Sequence, residues 1–349
     1  MFHLVLDTKI HWRFCVKIVL LLFIGAATGW FFAEKRQRKT HAVSGGLHEG
    51  IVLPHSQEFE LYQNAFSLCA KKARVCLAEL GIEYKDHHID LIETGSYEVL
   101  TPEFLRINPG GTVPVLVHNG HPVYESHEQI AYAAEYATTD VKLLPDDPEL
   151  RKKMQLWVDR SSLTRIDENG MKASAGNCVP SLTLPIFCSM IRHIPLHLIL
   201  VGLLFHRMKI RPMMFLTFKL ATLKRFAKLS KVTAMLKAGR DQMKVHLDAL
   251  EEQLVASEGP WILGEHYSLA DVSWVVIFER INEVDWSEYF LGNGKRPEVA
   301  SYWERLKGRP SYKHALAEHV HPLVAKGRQD VINLKASDPD FRDALLGDA

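Results

Sequence analysis

FELYQNAFSLCAKKARVCLAELGIEYKDHHID (residues 59–90) is the stretch that decides the fold. Phe59–Gln63 reads as a short strand, and after a turn Leu68, Val75, Cys76 and Leu80 recur at helical spacing. Gly81 stands just past that helix as a C-terminal stop, and Ile82–Ile89 reads as a second strand. Outward from there, PEFLRINPGGTVPVLVHNG (102–120) carries a short helix and a strand over Val113–Val117. HPVYESHEQIAYAAEY (121–136) adds a strand over Pro122–Tyr124 and a helix from Ser126 to about Tyr136. Asn119-Gly120 between those strands is a hairpin signal, because both residues tolerate positive φ.

The order strand, helix, strand, short helix, two strands, helix predicts an α/β thioredoxin-like domain over residues 58–138. Downstream the signals turn helical. Asp146-Asp147-Pro148-Glu149 opens a helix expected to carry Met154, Trp157 and Val158 and to run to about Asn169-Gly170. In GPWILGEHYSLADVSWVVIFERI (259–281), Ser268-Leu269-Ala270-Asp271 forms a capping-box pattern. Asp271 is therefore read as a folding residue, with Trp274, Ile277 and Phe278 in the core. An all-α domain is expected over 145–320.

Inside it lies an unusual insertion, about 171–238. Between Asn169 and Arg240 there is no Asp or Glu, against twelve Lys and Arg. LTLPIFCSMIRHIPLHLILVGLLF (182–205) and RPMMFLTFKLATLKRFAKL (211–229) are apolar, but Pro185, Pro195 and Pro212 break them below spanning length. Cations without interspersed acids favour contact with an anionic bilayer surface over a packed insertion with solvated charges. The tail, 321–349, is polar and rich in Asp, and reads as loosely packed.

At the other end, Ile18–Ala33 is an uninterrupted apolar run. With Phe14–Val16 it reaches the length of a membrane span, flanked by Trp12 and Trp30 and followed by Lys35-Arg36-Gln37-Arg38-Lys39. Residues 1–40 are read as an uncleaved single-pass anchor and 41–57 as a linker. The cluster after the span favours a cytosolic catalytic domain. Five cysteines without metal-ligand spacing fit a reducing compartment, and no metal site is expected; His87-His88 is read as half-exposed surface. A net charge of +1 and an apolar basic stretch without a recognisable module speak against nucleic acid.

Ser67-Leu68-Cys69, Asn108-Pro109 with Val113-Pro114, and Glu125-Ser126 together resemble the amino-terminal domain of the cytosolic glutathione transferase superfamily. The resemblance covers roughly Phe59–His319 and implies glutathione as co-substrate and, by default, a homodimer. It implies that Ser67 stabilises the glutathione thiolate, that Val113 before a cis Pro114 pairs with the peptide-like ligand, and that Glu125 and Ser126 receive the γ-glutamyl end. A hydroxyl or thiol at a helix amino end faces partial positive charge, which favours a thiolate there. Ser-x-Cys followed by Lys71-Lys72 is similar to the zeta class and to the tetrachlorohydroquinone reductive dehalogenases. Leu68 stands where the zeta pattern has a second Ser, which points away from an isomerase. The insertion is similar to that of the membrane-bound ganglioside-induced differentiation-associated relatives.

Two functions follow. One is a membrane-anchored glutathione-dependent transferase acting on an apolar electrophile, with mixed-disulfide chemistry at Cys69 if that thiol takes part. The other is a membrane-associated scaffold or lipid-binding protein that keeps the fold without turnover.

Overall fold

The computed structural model describes residues 2–163, 174–206 and 209–347. It begins with one long helix, α1 (Phe2–Gln37), whose segment Cys15–Gln37 is long and apolar enough to cross a membrane and has none of its apolar window buried. The end of α1 meets the rest of the chain: the Trp30 and Phe31 rings lie 6.3 and 5.8 Å from that of Phe205.

Five strands follow, β1 (Gly46–Leu47), β2 (Phe59–Gln63), β3 (Lys85–His88), β4 (Val115–His118) and β5 (His121–Tyr124), in the order β1-β5-β4-β2-β3. Only β2 and β3 are parallel. Helices α2 (Leu68–Glu79), α3 (Pro102–Ile107) and α4 (Ser126–Tyr136) complete the thioredoxin-like unit. Two strands are shorter than expected. Ile82 first bonds back to the Leu77 carbonyl at 2.9 Å, so pairing starts only at Lys85. Pro114 has no N–H to give a ladder, so β4 starts at Val115. Asn119 and Gly120 take the positive φ values, 49° and 84°, that the hairpin requires.

Residues 41–57 are more than a linker. The β1 segment covers the edge of β5, His41 N–H donates to the Pro109 carbonyl (2.7 Å), and Leu53 is buried with its N–H on the Gly120 carbonyl (2.8 Å).

The helical part comprises α5 (Pro148–Ser161), α6 (Ala175–Leu182), α7 (Leu184–His193), α8 (Leu196–Phe205), α9 (Ile210–Leu220), α10 (Leu223–Ala227) and the 27-residue α11 (Ser230–Ala256). Then come α12 (Leu269–Glu283), α13 (Ser287–Leu291), α14 (Pro297–Lys307), α15 (Pro310–Tyr312), α16 (Pro322–Ser337) and α17 (Pro339–Leu346). The α5 helix stops at Ser161; its expected end at Asn169-Gly170 lies outside the described residues. Asp271 is fully buried and accepts from Ser268 N–H (2.8 Å), Ile262 N–H (3.1 Å) and the Tyr302 hydroxyl (2.8 Å). Burial pushes its carboxyl up to about 6. It holds the start of α12, as a folding residue should.

Two expectations change here. The Asp-rich tail is not loose: it forms α16 and α17, which bury Val324, Val331, Phe341 and Leu345. The insertion is also largely internal. Its α7 buries Ile186, Cys188, Met190 and Ile191, and packs along α16. The tail supplies acids that the insertion lacks: Asp330 accepts from the Ser189 hydroxyl, Asp338 pairs with Lys224, and Asp340 pairs with Lys228 at 2.9 Å. What stays outside is one face of α8, with Leu196, Leu200 and Leu204 at four-residue spacing, and Ile210, Met213 and Leu220 of α9.

Candidate active site

A cavity of about 530 Å³ opens between the amino ends of α2 and α4 on one side and the insertion on the other. Ser67, Cys69, Val113, Pro114, Glu125 and Ser126 all line it. The chain places them there by local means. Ser67 is the N-cap of α2, its hydroxyl accepting from Ala70 N–H at 3.3 Å, which leaves its own proton free to point elsewhere. Cys69 follows in the same first turn and is partly exposed.

The Val113–Pro114 bond is cis. The loop before it is shaped by Asn108, whose amide donates to the Thr112 carbonyl (2.8 Å) and whose oxygen accepts from Gly110 N–H (2.8 Å). Gln129 of α4 donates to the carbonyls of Pro114 and Val123, both at 2.9 Å, fastening the helix to this loop. Glu125 has φ +66° and caps α4 without spending its carboxylate on the helix amides. Those first-turn N–H groups have no intrahelical partner and suit an anion.

Behind this wall runs a seam of buried charge. Lys71 pairs with Glu283 of α12, and Arg280 donates to the same carboxylate at 2.9 Å. Burial alone would raise the Glu283 carboxyl, but Lys71 and Arg280 outweigh it and hold it below the usual range. The Arg280 guanidinium also lies 3.9 Å over the Phe66 ring and reaches the cavity. Lys72 donates to the Ser162 hydroxyl at 2.9 Å; burial pulls its ammonium down, against the opposing pull of nearby Cys69. Cys76 is core, its thiol pushed up by burial, and Cys178 and Cys188 are pushed up to about 12 for the same reason.

The facing wall consists of Val179, Thr183, Phe187, Met214 and Phe215, with Glu93 and Tyr97 from the loop after β3 and Arg211 from α9. None of these was singled out from the sequence. The apolar runs of the insertion show that it buries a face, but not that the face is a cavity wall. Outside the cavity, His88, Asp90 and His321 bring ligand atoms within 4.8 Å of one another, a grouping that spacing along the chain does not display.

Family models match in two places: the glutathione S-transferase N-terminal domain over residues 66–135 and its C-terminal domain over 220–319. Among curated proteins, the chain is 24% identical over 268 residues to glutathione S-transferase TCHQD of Arabidopsis thaliana, covering 75% of this chain and 91% of the relative. It is 23% identical over 279 residues to tetrachloro-p-hydroquinone reductive dehalogenase of Sphingobium chlorophenolicum, covering 74% and 95%. Its fold resembles that of beta-etherase LigF from Sphingobium sp. strain SYK-6, with a TM-score of 0.60 at 20% identity over 75% of this chain and all of the other.

Proposed function

Because this chain belongs to the glutathione S-transferase superfamily, we propose that the cavity binds glutathione against α2, β4 and α4 and an apolar electrophile against the insertion. One observation carries the reading: six residues from three separate elements, Ser67 and Cys69, Val113 and Pro114, Glu125 and Ser126, share one cavity. The γ-glutamyl carboxylate sits at the amino end of α4, where unpaired N–H groups and the Ser126 hydroxyl receive it and Glu125 takes the ammonium. The Val113 backbone pairs with the peptide. The Ser67 hydroxyl donates to the sulfur, lowering the cost of the thiolate at neutral pH.

The thiolate attacks the electrophilic carbon, the bond from that carbon to its leaving group breaks, the group departs with the electron pair, and a thioether is formed. In a reductive variant the Cys69 thiolate attacks the thioether sulfur, the carbon leaves with the electron pair and takes a proton, and a mixed disulfide remains. The thiolate of a second glutathione then attacks the glutathionyl sulfur of that disulfide, the Cys69 thiolate leaves, and oxidised glutathione is formed. Partly exposed Cys69, on the cavity lining in the first turn of α2, supports this branch.

On the same reading α1 is a single-pass anchor, with the cavity on the cytosolic side. Two observations support the anchor: the unburied apolar window of α1, and the exposed faces of α8 and α9 beside its end, where anionic lipid would meet Lys209 and Lys35. Its sidedness rests on the basic cluster after the span.

The test is calorimetric titration of the full chain in detergent with glutathione. Ser126→Ala and Glu125→Ala should each weaken binding about tenfold, the usual effect of deleting one charge-assisted hydrogen bond. Intact mass then decides the branch: a glutathione adduct that vanishes in Cys69→Ser assigns the reductive chemistry, and binding without an adduct assigns conjugation. If glutathione does not bind the wild-type chain, the transferase reading fails and a membrane scaffold replaces it.

A further inference from the structure

At the edge strand of the sheet, outside the cavity, His88, Asp90 and His321 each bring a ligand atom within 4.8 Å of the other two. His88 ends β3 and Asp90 stands two residues on, so an extended chain turns both to one side. His88 Nε2 lies 3.0 Å from Asp90 Oδ1. The neighbouring His87 is engaged elsewhere, its ring stacked on Tyr62 and its Nε2 2.6 Å from Glu60 Oε2. His321 arrives from the other end of the chain as the N-cap of α16. Its ring is nearly parallel to that of His88, at 9°, with centroids 6.3 Å apart.

Charge is a second, independent observation. The Asp90 N–H donates to Oε2 of Glu98 at 2.6 Å, which brings another carboxylate to the cluster. Among the described residues neither acid pairs with a Lys or Arg; the ion-pair partner of Asp90 is the His88 ring. Two imidazoles with lone pairs to offer, beside two carboxylates without a cation, suit a doubly charged ion. Imidazole nitrogen selects zinc and its transition-metal neighbours over magnesium and calcium, which take oxygen. Two terms oppose a cation here. The amino end of α16 is positive, and a metal on His321 displaces the cap that Nδ1 gives Leu323 N–H at 3.2 Å. Each is the size of one surface interaction, set against three ligand bonds.

We propose that His88, Asp90 and His321 bind one zinc-class divalent ion, with water completing its coordination, as a structural clip between the thioredoxin-like sheet and the tail. Glu98 adds negative charge behind Asp90. Glu98 N–H also donates to the Asp90 carbonyl at 3.1 Å, so the two residues close the base of the 90–98 loop, which carries Glu93 and Tyr97 to the cavity wall. The clip thus fastens that loop to the start of α16, whatever the cavity binds.

The experiment uses the full chain in detergent, stripped with a chelator and titrated with zinc chloride against a chromophoric zinc indicator, with magnesium chloride as the control. The wild-type chain should take up one zinc with a Kd below about 10 μM. Zinc at about a hundredfold excess over Kd should raise the thermal midpoint by a few degrees, and magnesium should not. His88→Gln, Asp90→Asn and His321→Asn should each weaken zinc binding at least about tenfold and remove the rise in midpoint. Asn at 321 can still cap α16, so that variant should match the wild-type midpoint in chelator. Glutathione affinity in chelator should be the same in all four proteins. Zinc uptake that every variant retains would place the metal on the free thiols of Cys15 or Cys69 and overturn the proposal. Equal effects of magnesium would mean a diffuse acidic patch, and no uptake even at millimolar zinc would leave only the His88–Asp90 hydrogen bond; either result overturns it. Should Asp90→Asn or His321→Asn not fold, His88→Gln, at an exposed position, carries the test.

Discussion

On the wall that carries Ser67, Val113 and Ser126, each side chain is set by residues a few positions away: an N-cap, an Asn-buttressed loop, a helix start. On the facing wall, Tyr97 is fixed by Gly202 of α8, Arg211 by Glu93, and α7 by α16, whose residues lie more than a hundred positions further along. The first wall falls within the stretch matched by a family model, whereas residues 136–219, which hold α6, α7, α8 and most of α9, lie between the two models. A glutathione wall must meet one constant ligand. The wall across from it answers to whatever electrophile the chain accepts, and is stabilised by remote partners instead of local motifs.

The comparison is broken most severely through the seam under the first wall. Glu283→Gln removes the carboxylate that Lys71, 2% exposed in its side chain, shares with Arg280. Removing one member of a buried pair costs about 3–5 kcal/mol, against near-neutrality when both members are replaced by apolar residues. Glu283→Gln is therefore expected to lower stability by that amount in denaturant titration and to weaken glutathione binding, because α2 loses its support. The double variant Lys71→Met with Glu283→Leu should recover the share that belongs to Lys71 but not the share that belongs to Arg280, which still lacks its carboxylate. Equal losses in single and double variants would show that packing, not charge pairing, holds the first wall.

A smaller effect is expected from the far wall. A Cβ on Gly327 of α16 would stand 2.9 Å from both Ile186 Cγ1 and Met190 Cγ of α7. Gly327→Val must push the two helices apart, at a cost of about 1–3 kcal/mol for overpacking. The expected signature is faster proteolysis within 321–347 and a changed electrophile preference, with glutathione affinity unaltered. A parallel loss of glutathione affinity would show that the walls are one cooperative unit and that the distinction drawn between them is wrong.

What the sequence discloses follows the same division. Ser67, Pro114, Glu125 and Ser126 carry short-range meaning, because capping, a proline without an N–H and a helix start are each readable within a few residues. The capping box at Ser268 and Asp271 was legible for the same reason. The insertion misleads when taken alone: a run of cations without acids reads as a lipid-facing surface, yet Asp338 and Asp340 provide Lys224 and Lys228 with partners from the tail. Charge complementarity over that separation leaves no local trace. Glu93 and Tyr97 were invisible too, since their burial depends on α8 and α9 closing over them. The exposed row Leu196, Leu200 and Leu204 is the part of the lipid-facing expectation that the packing leaves open.

The smallest effect belongs to those tail pairs, and it tests whether they compensate the insertion or merely decorate it. The Lys224 side chain is half exposed, and such pairs add little to stability and fade with salt. Lys224's hydrogen bond holds the Asp338 carboxyl below its ordinary 3.8, and Asp338's hydrogen bond holds the Lys224 ammonium above its ordinary 10.5. A depressed acid contributes only where it is ionised, so its share is present above about 3.8 and is lost as pH falls through the folded value. A raised base contributes fully below about 10.5 and loses its share as pH climbs past the folded value. The contribution of this pair to tail docking should therefore be flat in pH between those limits and weaken below the lower one. Lys224→Ala with Lys228→Ala should abolish that acid dependence and any difference between low salt and about 0.15 M salt, with only a marginal change in thermal midpoint. If the variant keeps the acid-dependent release of the tail, the acids are serving the tail's own helix caps, where Asp338 also accepts from Phe341 N–H at 2.9 Å, and the insertion's cations are paired for solubility alone.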